Sequence, residues 1–211
     1  MADTRAAVVV VGAGGHARVV AEAVGQERVV GHLSPTDGEV DALLGPRLGD
    51  DGAAPQVGAA GHSLAIGLGF VDRPSAERRA RLIAALGAVS LATVVHHRAI
   101  VAPSAEVGTG AFVAAGAVIG TNARLGRASI VNTGAVVDHD CEIGANVHIG
   151  PGAVLSGDVE VGDDSLIGVG ATVRQGVHIG RSVVIGAGAA VVEDVPDGIT
   201  AVGVPARAVA K

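Results

Sequence analysis

A large aliphatic residue recurs at every sixth position through the second half of this chain. The series runs from Val101 to Val191 without an insertion, and a small residue or valine follows four positions later each time, from Ala105 to Val195. A period of six fits neither the 3.6-residue period of a helix nor a simple strand alternation. It predicts a three-sided β-helix in which each hexad forms one short side, with the aliphatic side chain pointing inward.

The composition supports a fold of many narrow layers. Of the 211 residues, 33 are glycine and 49% are hydrophobic, but there are only two Phe and no Trp or Tyr. Val, Ile, Leu and Ala must therefore form the core. Three hexads complete a coil, so residues 18 apart in the sequence should stack about 4.8 Å apart. Each coil then covers the edge of the one before.

Residues 1–93 show a different pattern, in which strands and helices alternate. The segments "AAVVVVGAGG", "RVVGHL" and "LAIGLG" are typical of strands, and residues 34–60, rich in Gly, Pro and Asp, are predicted to be mostly loop. The alternation indicates a small parallel sheet with right-handed crossovers. The helix "HARVVAEAV" is predicted to bury Val19, Val20, Ala23 and Val24, and the capped helix "RPSAERRARLIAALGA" to bury Leu82, Ile83 and Leu86 with its basic residues outside.

Charge and composition exclude several classes of function. The net charge is −6 and no long run of Lys or Arg occurs, which argues against binding to nucleic acid. No apolar stretch approaches the roughly 20 residues that span a bilayer, and the N-terminus lacks the pattern of a signal peptide. The single cysteine, Cys141, excludes an intrachain disulfide and a cysteine zinc cluster. We expect a cytoplasmic protein without membrane insertion.

The segment "GAGGHA" at 12–17 satisfies the G-x-G-x-x-G/A pattern of dinucleotide-binding loops. Such a loop offers backbone N–H groups and the positive end of a helix dipole to a phosphate. An NAD site would also need an acid at the end of the second strand, but that strand ends in His32-Leu33-Ser34. A cradle for phosphate or a sugar nucleotide is favoured, with His16 adding charge or a hydrogen bond. An NAD site and a tight turn that binds nothing stay open.

His139 is the strongest candidate for acid–base chemistry. It lies between the inward positions Val137 and Cys141, so its ring should project outward, and Asp138 and Asp140 flank it. A histidine near its ordinary pKa can accept a proton from an attacking amine, and a neighbouring carboxylate can orient it. Gly157 lies 18 residues later and should stack one coil above His139. An exposed surface histidine is the alternative interpretation.

Four motifs resemble those of one enzyme family. They are "GAGGH" at 12–16, "VVHHRAIVAPSAEVG" at 94–108, "VNTGAVVDHDCEIGANVHIGPGAVLSG" at 131–157 and "AVGVPARAV" at 201–209. The chain is similar over essentially its whole length to the sialic-acid O-acetyltransferase and UDP-4-amino-sugar N-acetyltransferase group of hexapeptide-repeat sugar acyltransferases. The resemblance implies acetyl transfer from acetyl-CoA to a nucleotide-activated amino sugar, in a homotrimer whose active sites lie between neighbouring prisms.

The resemblance also implies a domain plan. Residues 1–93 would form an α/β, Rossmann-like domain with a small parallel sheet that binds the sugar nucleotide. Residues 94–197 would form an all-β left-handed parallel β-helix of hexapeptide repeats that carries the transfer chemistry. Residues 198–211 would be a C-terminal tail that contacts CoA.

Roles of individual residues follow from the same resemblance. His139 would be the general base and Asp140 its partner, although family members often carry Glu there, and the Gly157 N–H would stabilise the oxyanion. Substrate-binding positions would be Gly14, Gly15, His16, Asn132 and His148. CoA-binding positions would be Gly168, Val169, Gly186, Gly188, Val204, Pro205 and Arg207. No metal is expected, because His139, His148 and His178 are separated by 9 and 30 residues, neither a multiple of 18.

One departure leaves the acceptor open. Relatives that act on UDP-4-amino sugars often carry paired acids after the second strand, where this chain has Leu33-Ser34-Pro35. N-acetylation of a nucleotide-linked amino sugar is the leading hypothesis. O-acetylation of a sialic acid or another sugar is the nearest rival, and a non-catalytic nucleotide-binding β-helix scaffold is the alternative from another class.

Overall fold

A computed structural model describes residues 7–36 and 42–209 of the chain. These residues form an N-terminal α/β part followed by a left-handed parallel β-helix, as predicted. Part of the predicted loop, including Asp37, lies outside the described residues.

The N-terminal part is a four-stranded parallel sheet with the strand order β3-β2-β1-β4. Its elements are β1 (Val8–Val11), α1 (Gly15–Val24), β2 (Val29–Leu33), β3 (Arg47–Gly49), a 3₁₀ turn (Asp51–Ala53), α2 (Ala54–Ala59), β4 (Ser63–Ile66) and α3 (Arg73–Ala85). All four residues of β1 are buried because helices cover both faces of the sheet, α1 on one face and α2 with α3 on the other. The N-terminus of α3 is capped by Asp72, whose carboxylate accepts a hydrogen bond from the Ser75 N–H at 2.8 Å.

Three details of the sequence prediction are wrong. Val19 is 41% exposed, because Ala17, Val20, Ala21 and Val24 form the buried stripe of α1. Arg79 was expected to face outward with the other basic residues of α3 but is only 2% exposed. Residues 34–60 contain β3, the 3₁₀ turn and α2, because α2 is too short to show a helical period and is stabilised by packing against the sheet.

The β-helix is a prism with three faces, each a sheet of short parallel strands. The covered face contains β5 (Val94–Val95), β8 (Phe112–Val113), β11 (Ile130–Val131), β14 (His148–Ile149), β17 (Leu166–Ile167), β20 (Val184–Ile185) and β22 (Thr200–Val202), with β23 (Arg207–Ala208) antiparallel at its end. The apolar face contains β6 (Ile100–Val101), β9 (Val118–Ile119), β12 (Val136–Val137), β15 (Val154–Leu155), β18 (Thr172–Val173) and β21 (Ala190–Val191). The charged face contains β7 (Glu106–Val107), β10 (Arg124–Leu125), β13 (Glu142–Ile143), β16 (Glu160–Val161) and β19 (His178–Ile179).

The core of the prism is a set of stacks with the predicted spacing of 18 residues. On the covered face, Val131 pairs with Ile149, and Ile149 pairs with Ile167. All three side chains are fully buried, so the hexad aliphatics point inward as predicted. Val101 and Val107 are only half-buried because they lie at the start of the prism.

The faces differ in the side chains that they point outward. On the covered face, Phe112 and Ile130 are buried under Val20 and Val24 of α1. The charged face presents Glu106, Arg124, Glu142, Glu160 and His178 to solvent. The apolar face presents the row Ile100, Val118, Val136 and Val154, of which Ile100 is 66% exposed. Val154 is also exposed, while Val118 and Val136 are half-buried.

The stacking predicts a large loss of stability on truncation of an inward side chain. Ile149→Ala should lower the free energy of unfolding by about 2–5 kcal/mol, because Ile149 is fully buried between Val131 and Ile167. The control His178→Ala removes an exposed side chain from the charged face and should change the free energy of unfolding by about 0.5 kcal/mol or less. Urea unfolding would measure both, and equal losses would contradict the inward stacking.

Candidate active site

His139 and Asp140 form a direct pair at one edge of the prism. They lie in the turn between β12 and β13, at the edge between the apolar and charged faces, which we call the histidine edge (Thr121, His139, Gly157 and Gln175). The Nδ1 atom of His139 is 2.8 Å from Oδ2 of Asp140. The contact that the sequence left open is therefore direct. With Nδ1–H donating to the carboxylate, Nε2 is the ring atom left to accept a proton.

Asn122 holds the other oxygen of the Asp140 carboxylate. It lies one coil earlier, 18 residues before Asp140, and its Nδ2 donates to Asp140 Oδ1 at 3.1 Å. The hydrogen bonds from His139 and Asn122 lower the pKa of Asp140. The pKa of His139 is raised, chiefly by the hydrogen bond to Asp140 and further by the charges of Asp138, Asp140 and Asp158. His139 is thus a stronger base than an ordinary histidine.

Gly157 stacks against the imidazole of His139, as the spacing predicted. A Cβ atom at Gly157 would overlap Cε1 and Nε2 of that ring. The equivalent positions Thr121 and Gln175 carry side chains, so the corner itself tolerates a Cβ atom. Among the residues that the structure describes, the Gly157 N–H donates to no acceptor. The glycine therefore places an uncommitted N–H donor next to the His139 ring.

His148 belongs to a second group, on the covered face. It is 7% exposed and lies beneath the segment that follows β4. Its Nδ1 is 2.8 Å from the Phe70 carbonyl oxygen and its Nε2 is 3.1 Å from Asn132 Nδ2. Because a carbonyl only accepts, Nδ1 carries the proton and Nε2 accepts from Asn132. Burial lowers the pKa of His148 to about 4, and the positive charge of Arg79 adds to this effect, so the ring is neutral at pH 7.

His16, at the start of α1, lies next to His148. Its ring meets Phe112 edge-on, with 5.4 Å between the ring centroids, and lies 6.4 Å from the His148 ring. Burial lowers the pKa of His16 to about 4, with further contributions from His148 and Arg79. Its buried Nε2 atom has no hydrogen-bond partner within the described residues. His16 is therefore neutral at pH 7, with an unpaired ring nitrogen inside the fold.

The glycine loop leaves open space at the N-terminus of α1. Gly12 has a φ of +112°, which favours glycine for conformational reasons. No atom lies within 4 Å of the position that a Cβ would take at Gly14 or at Gly15. Gly14 also gives α1 no side-chain cap. The unoccupied volume beside exposed helix N–H groups suits an anionic group.

A groove of about 380 Å³ runs along the edge between the covered and apolar faces, the groove edge (Asn132, Gly150, Gly168 and Gly186). It is lined by Phe70, Asn132, His148, Gly168, Val169 and Gly186, among others. Close packing against the next coil explains why glycine occupies positions 168 and 186. A Cβ at Gly168 would lie 2.6 Å from the Ala187 backbone nitrogen, and one at Gly186 would lie 2.7 Å from the Val202 side chain. Gly188 has a φ of +67° in its turn.

The C-terminal residues continue the covered face. Val204 is exposed and precedes Pro205 through a cis peptide bond. Arg207 donates to the Ala206 carbonyl oxygen at 2.9 Å and lies 3.8 Å from Glu193. The expected contacts of Val204, Pro205 and Arg207 with CoA stay predictions.

The predicted site residues thus fall into two groups within one chain. The groove brings Asn132 and His148 together with Gly168 and Gly186, two of the predicted CoA-binding glycines, and His16 lies beside His148. His139, Asp140 and Gly157 lie at the histidine edge, across the apolar face. The predicted base, His139, is therefore not among the residues that line the groove of its own chain.

Sequence reasoning missed three neighbours of these groups: Asn122, Phe70 and Arg79. Asn122 could have been found, because it lies 18 residues before Asp140 and must stack on it. Nothing local marks Phe70 or Arg79, whose contacts depend on how the N-terminal part docks on the prism.

Neither a membrane-spanning helix nor a metal-binding cluster occurs among residues 7–36 and 42–209. None of their helices is long and apolar enough to cross a membrane. They contain no group of three or more His, Cys, Asp or Glu side chains that could hold a metal ion.

Comparisons with known proteins place these features in a family context. Two family profiles match the β-helix: "Bacterial transferase hexapeptide (six repeats)" over residues 122–157 and "Hexapeptide repeat of succinyl-transferase" over residues 158–193. No curated protein matches the chain.

Solved structures match over almost the whole length. A variant of GDP-perosamine N-acetyltransferase from Caulobacter crescentus, in complex with CoA and GDP-perosamine, is 38% identical, with a TM-score of 0.87 over 97% of each chain. The acetyltransferase domain of PglB from Neisseria gonorrhoeae, in complex with acetyl coenzyme A, is 38% identical, with a TM-score of 0.85 over 96% of this chain and 98% of that one.

The contact between Gly157 and His139 gives a direct test of the pair. Gly157→Ala should push the imidazole away from Asp140, and the pKa of His139 should fall toward its ordinary value of 6.5. NMR titration of the ring would measure the change. Gln175→Ala, at the same corner one coil later, should leave the pKa unchanged. An unaltered His139 pKa in Gly157→Ala would show that the stacking does not set the ring position.

Proposed function

Because the chain belongs to the hexapeptide-repeat sugar acyltransferases, we propose that it transfers an acetyl group from acetyl-CoA to the amine of a nucleotide-linked amino sugar. One observation in the structure carries this proposal. His139 is paired with Asp140, and Gly157, whose N–H has no acceptor among the described residues, lies next to its ring. A proton acceptor beside an oxyanion donor is what acyl transfer needs.

The proposed reaction is a direct transfer. The neutral acceptor amine attacks the thioester carbonyl, and His139 Nε2 takes the proton that the nitrogen loses as the C–N bond forms. Asp140 stabilises the resulting imidazolium, and the Gly157 N–H donates to the oxyanion of the tetrahedral intermediate. The intermediate collapses with cleavage of the C–S bond, and the imidazolium returns the proton to the departing CoA thiolate.

We assign the acceptor to residues 1–93. Gly14 and Gly15 would cradle its phosphates in the open space at the N-terminus of α1. The unpartnered Nε2 of His16 would hydrogen-bond the ligand, with Asn132 and His148 at the junction with the groove. The related Caulobacter crescentus enzyme is described with GDP-perosamine, which supports a nucleotide-linked amino sugar as the acceptor class.

We assign acetyl-CoA to the groove edge. Gly168, Val169, Gly186 and Gly188 would lie along it, and Val204, Pro205 and Arg207 of the tail 198–211 would contact its end. Residues 94–197 would then carry the transfer chemistry. The complexes of the related structures with CoA and acetyl coenzyme A support acetyl-CoA as the co-substrate. We place the reaction in the cytoplasm, where acetyl-CoA is available.

The two separated edges support a homotrimer. The apolar face lies between them; it exposes Ile100 and Val154 and leaves Val136 half-buried. Packing of copies through this face in a closed ring would bring the histidine edge of one copy to the groove edge of the next. The active site would then be formed by two chains.

The base is tested by thiol release from acetyl-CoA across a panel of GDP- and UDP-linked amino sugars and sialic acids. Acceptor-dependent release should fall by about 10²-fold or more in His139→Asn. The kcat/KM of the parent should rise with pH through a pKa above 6.5, because the neutral imidazole is the active form and its pKa is raised, and the variant should lose this dependence. His178→Asn, another exposed histidine paired with a carboxylate, is the matched control.

The outcomes separate the candidate functions. An amide product identifies N-acetylation, and an ester identifies O-acetylation. An unchanged rate of thiol release in His139→Asn would show that His139 is not the base. No release with any acceptor, together with tight nucleotide-sugar binding, would favour the scaffold.

The assembly is tested on the apolar face. Val136→Glu places a charge in the middle of the apolar row and should yield monomers with turnover reduced by at least tenfold. Arg124→Glu changes a charged-face side chain and should leave the assembly intact. Light scattering coupled to size exclusion would give the oligomeric state, and a fully active monomer would refute the shared site.

A further inference from the structure

Arg79 is a buried cation between α3 and the prism. Its Nε donates to the Leu68 carbonyl oxygen at 2.6 Å and its Nη1 donates to the Ala128 carbonyl oxygen at 2.8 Å. Nη1 also donates to Oδ1 of Asn146, whose Nδ2 donates to Asp164 at 2.8 Å. A buried guanidinium costs free energy that an apolar side chain would not. Helix docking alone therefore does not explain an arginine at this position.

The carbonyl held by Arg79 belongs to the segment that contacts both buried histidines. This segment, residues 67–70, joins β4 to the turn before α3. Gly69 lies against the rings of His16 and His148, with 3.6 Å and 3.8 Å from its Cβ position to the nearest ring atoms. Two residues after Leu68, the Phe70 carbonyl oxygen accepts the Nδ1–H of His148 at 2.8 Å.

We propose that Arg79 is a positioning residue for His148. By fixing the Leu68 carbonyl it fixes the Phe70 carbonyl, which in turn holds His148 as the tautomer with the proton on Nδ1. The lone pair of Nε2 then accepts the hydrogen bond from Asn132 Nδ2 at the wall of the groove, so the tautomer also orients Asn132. The role of His148 toward ligands rests on the proposed function, but its tautomer does not.

The charge of Arg79 acts in the same direction. Its own pKa is lowered by burial to about 10, so it stays protonated at neutral pH. The charged and titratable groups that face His148 are Arg79 and His16, and the cation lowers the pKa of both imidazoles. The charge of Arg79 thus disfavours protonation of His148 Nε2, the atom that the proposed positioning keeps as a hydrogen-bond acceptor.

The test compares Arg79→Lys with Arg73→Lys. Arg73 lies on the same helix and also ties it to the prism, through the Ser182 carbonyl oxygen at 3.0 Å and the Gly198 carbonyl oxygen at 2.5 Å. Both of these hydrogen bonds go to the prism, and neither goes to residues 67–70. Lysine keeps the charge but replaces the planar fork of donors by one ammonium. Comparison of the two variants therefore separates the effect of fixing residues 67–70 from the effect of docking α3 on the prism.

The first readout is the tautomer of His148, observed by ¹⁵N NMR of the ring in the full-length protein without ligand. The parent and Arg73→Lys should show the single Nδ1–H form, and Arg79→Lys should show both tautomers. Retention of the single form in Arg79→Lys, or its equal loss in Arg73→Lys, would overturn the proposal. Thermal unfolding of both variants confirms that the folded protein is being compared.

The second readout is acetyl transfer. Arg79→Lys should lower kcat by about tenfold to 10²-fold, the scale expected when a contacting group is displaced by about 1 Å, while Arg73→Lys stays within about twofold of the parent. A parent without transferase activity would refute the proposed function and leave the tautomer result to decide on Arg79. Full activity of Arg79→Lys with a mixed tautomer would show that the His148 tautomer does not matter for transfer.

Discussion

The parallel pairing of residues 18 apart is the constraint on which this structure depends. Once Val131 pairs with Ile149, and Ile149 with Ile167, the face and the height of every neighbouring residue are set. A functional group held on such a regular element is placed more precisely than one on a loop. The chain uses this at the histidine edge, where the pairing alone places Gly157 over His139.

Docking of the N-terminal part then decides what each outward position becomes. His148 and His178 hold the same position in their hexads. His148 is buried under the segment after β4, donates to Phe70 and has a pKa lowered to about 4. His178 lies on the charged face, exposed and 3.0 Å from Glu160. The same residue on the same scaffold thus becomes a neutral acceptor in one place and a solvated surface group in the other, because burial differs.

Periodicity was sufficient to predict the β-helix, its inward residues and the stacking of Gly157 on His139. It also predicted that the His139 ring projects outward next to Asp140, although only the structure shows that the two side chains are in direct contact. It could not predict the burial of Arg79 or the bond between His148 and Phe70. Arg79 and Asn146 are 67 positions apart in the sequence, and Phe70 and His148 are 78 positions apart. These contacts depend on how the N-terminal part docks on the prism, about which a local pattern carries no information.

The site chemistry and the proposed assembly are coupled through the two histidines. His148 lines the groove but, with a pKa of about 4, it accepts a proton poorly at neutral pH. His139 has a raised pKa that suits a base, but it lies across the apolar face from the groove of its own chain. Binding and proton acceptance are therefore assigned to different edges of one prism. In the proposed trimer a neighbouring copy would supply the missing edge, and the apolar row would then contribute to catalysis by holding the two edges together, although none of its side chains can take part in the reaction.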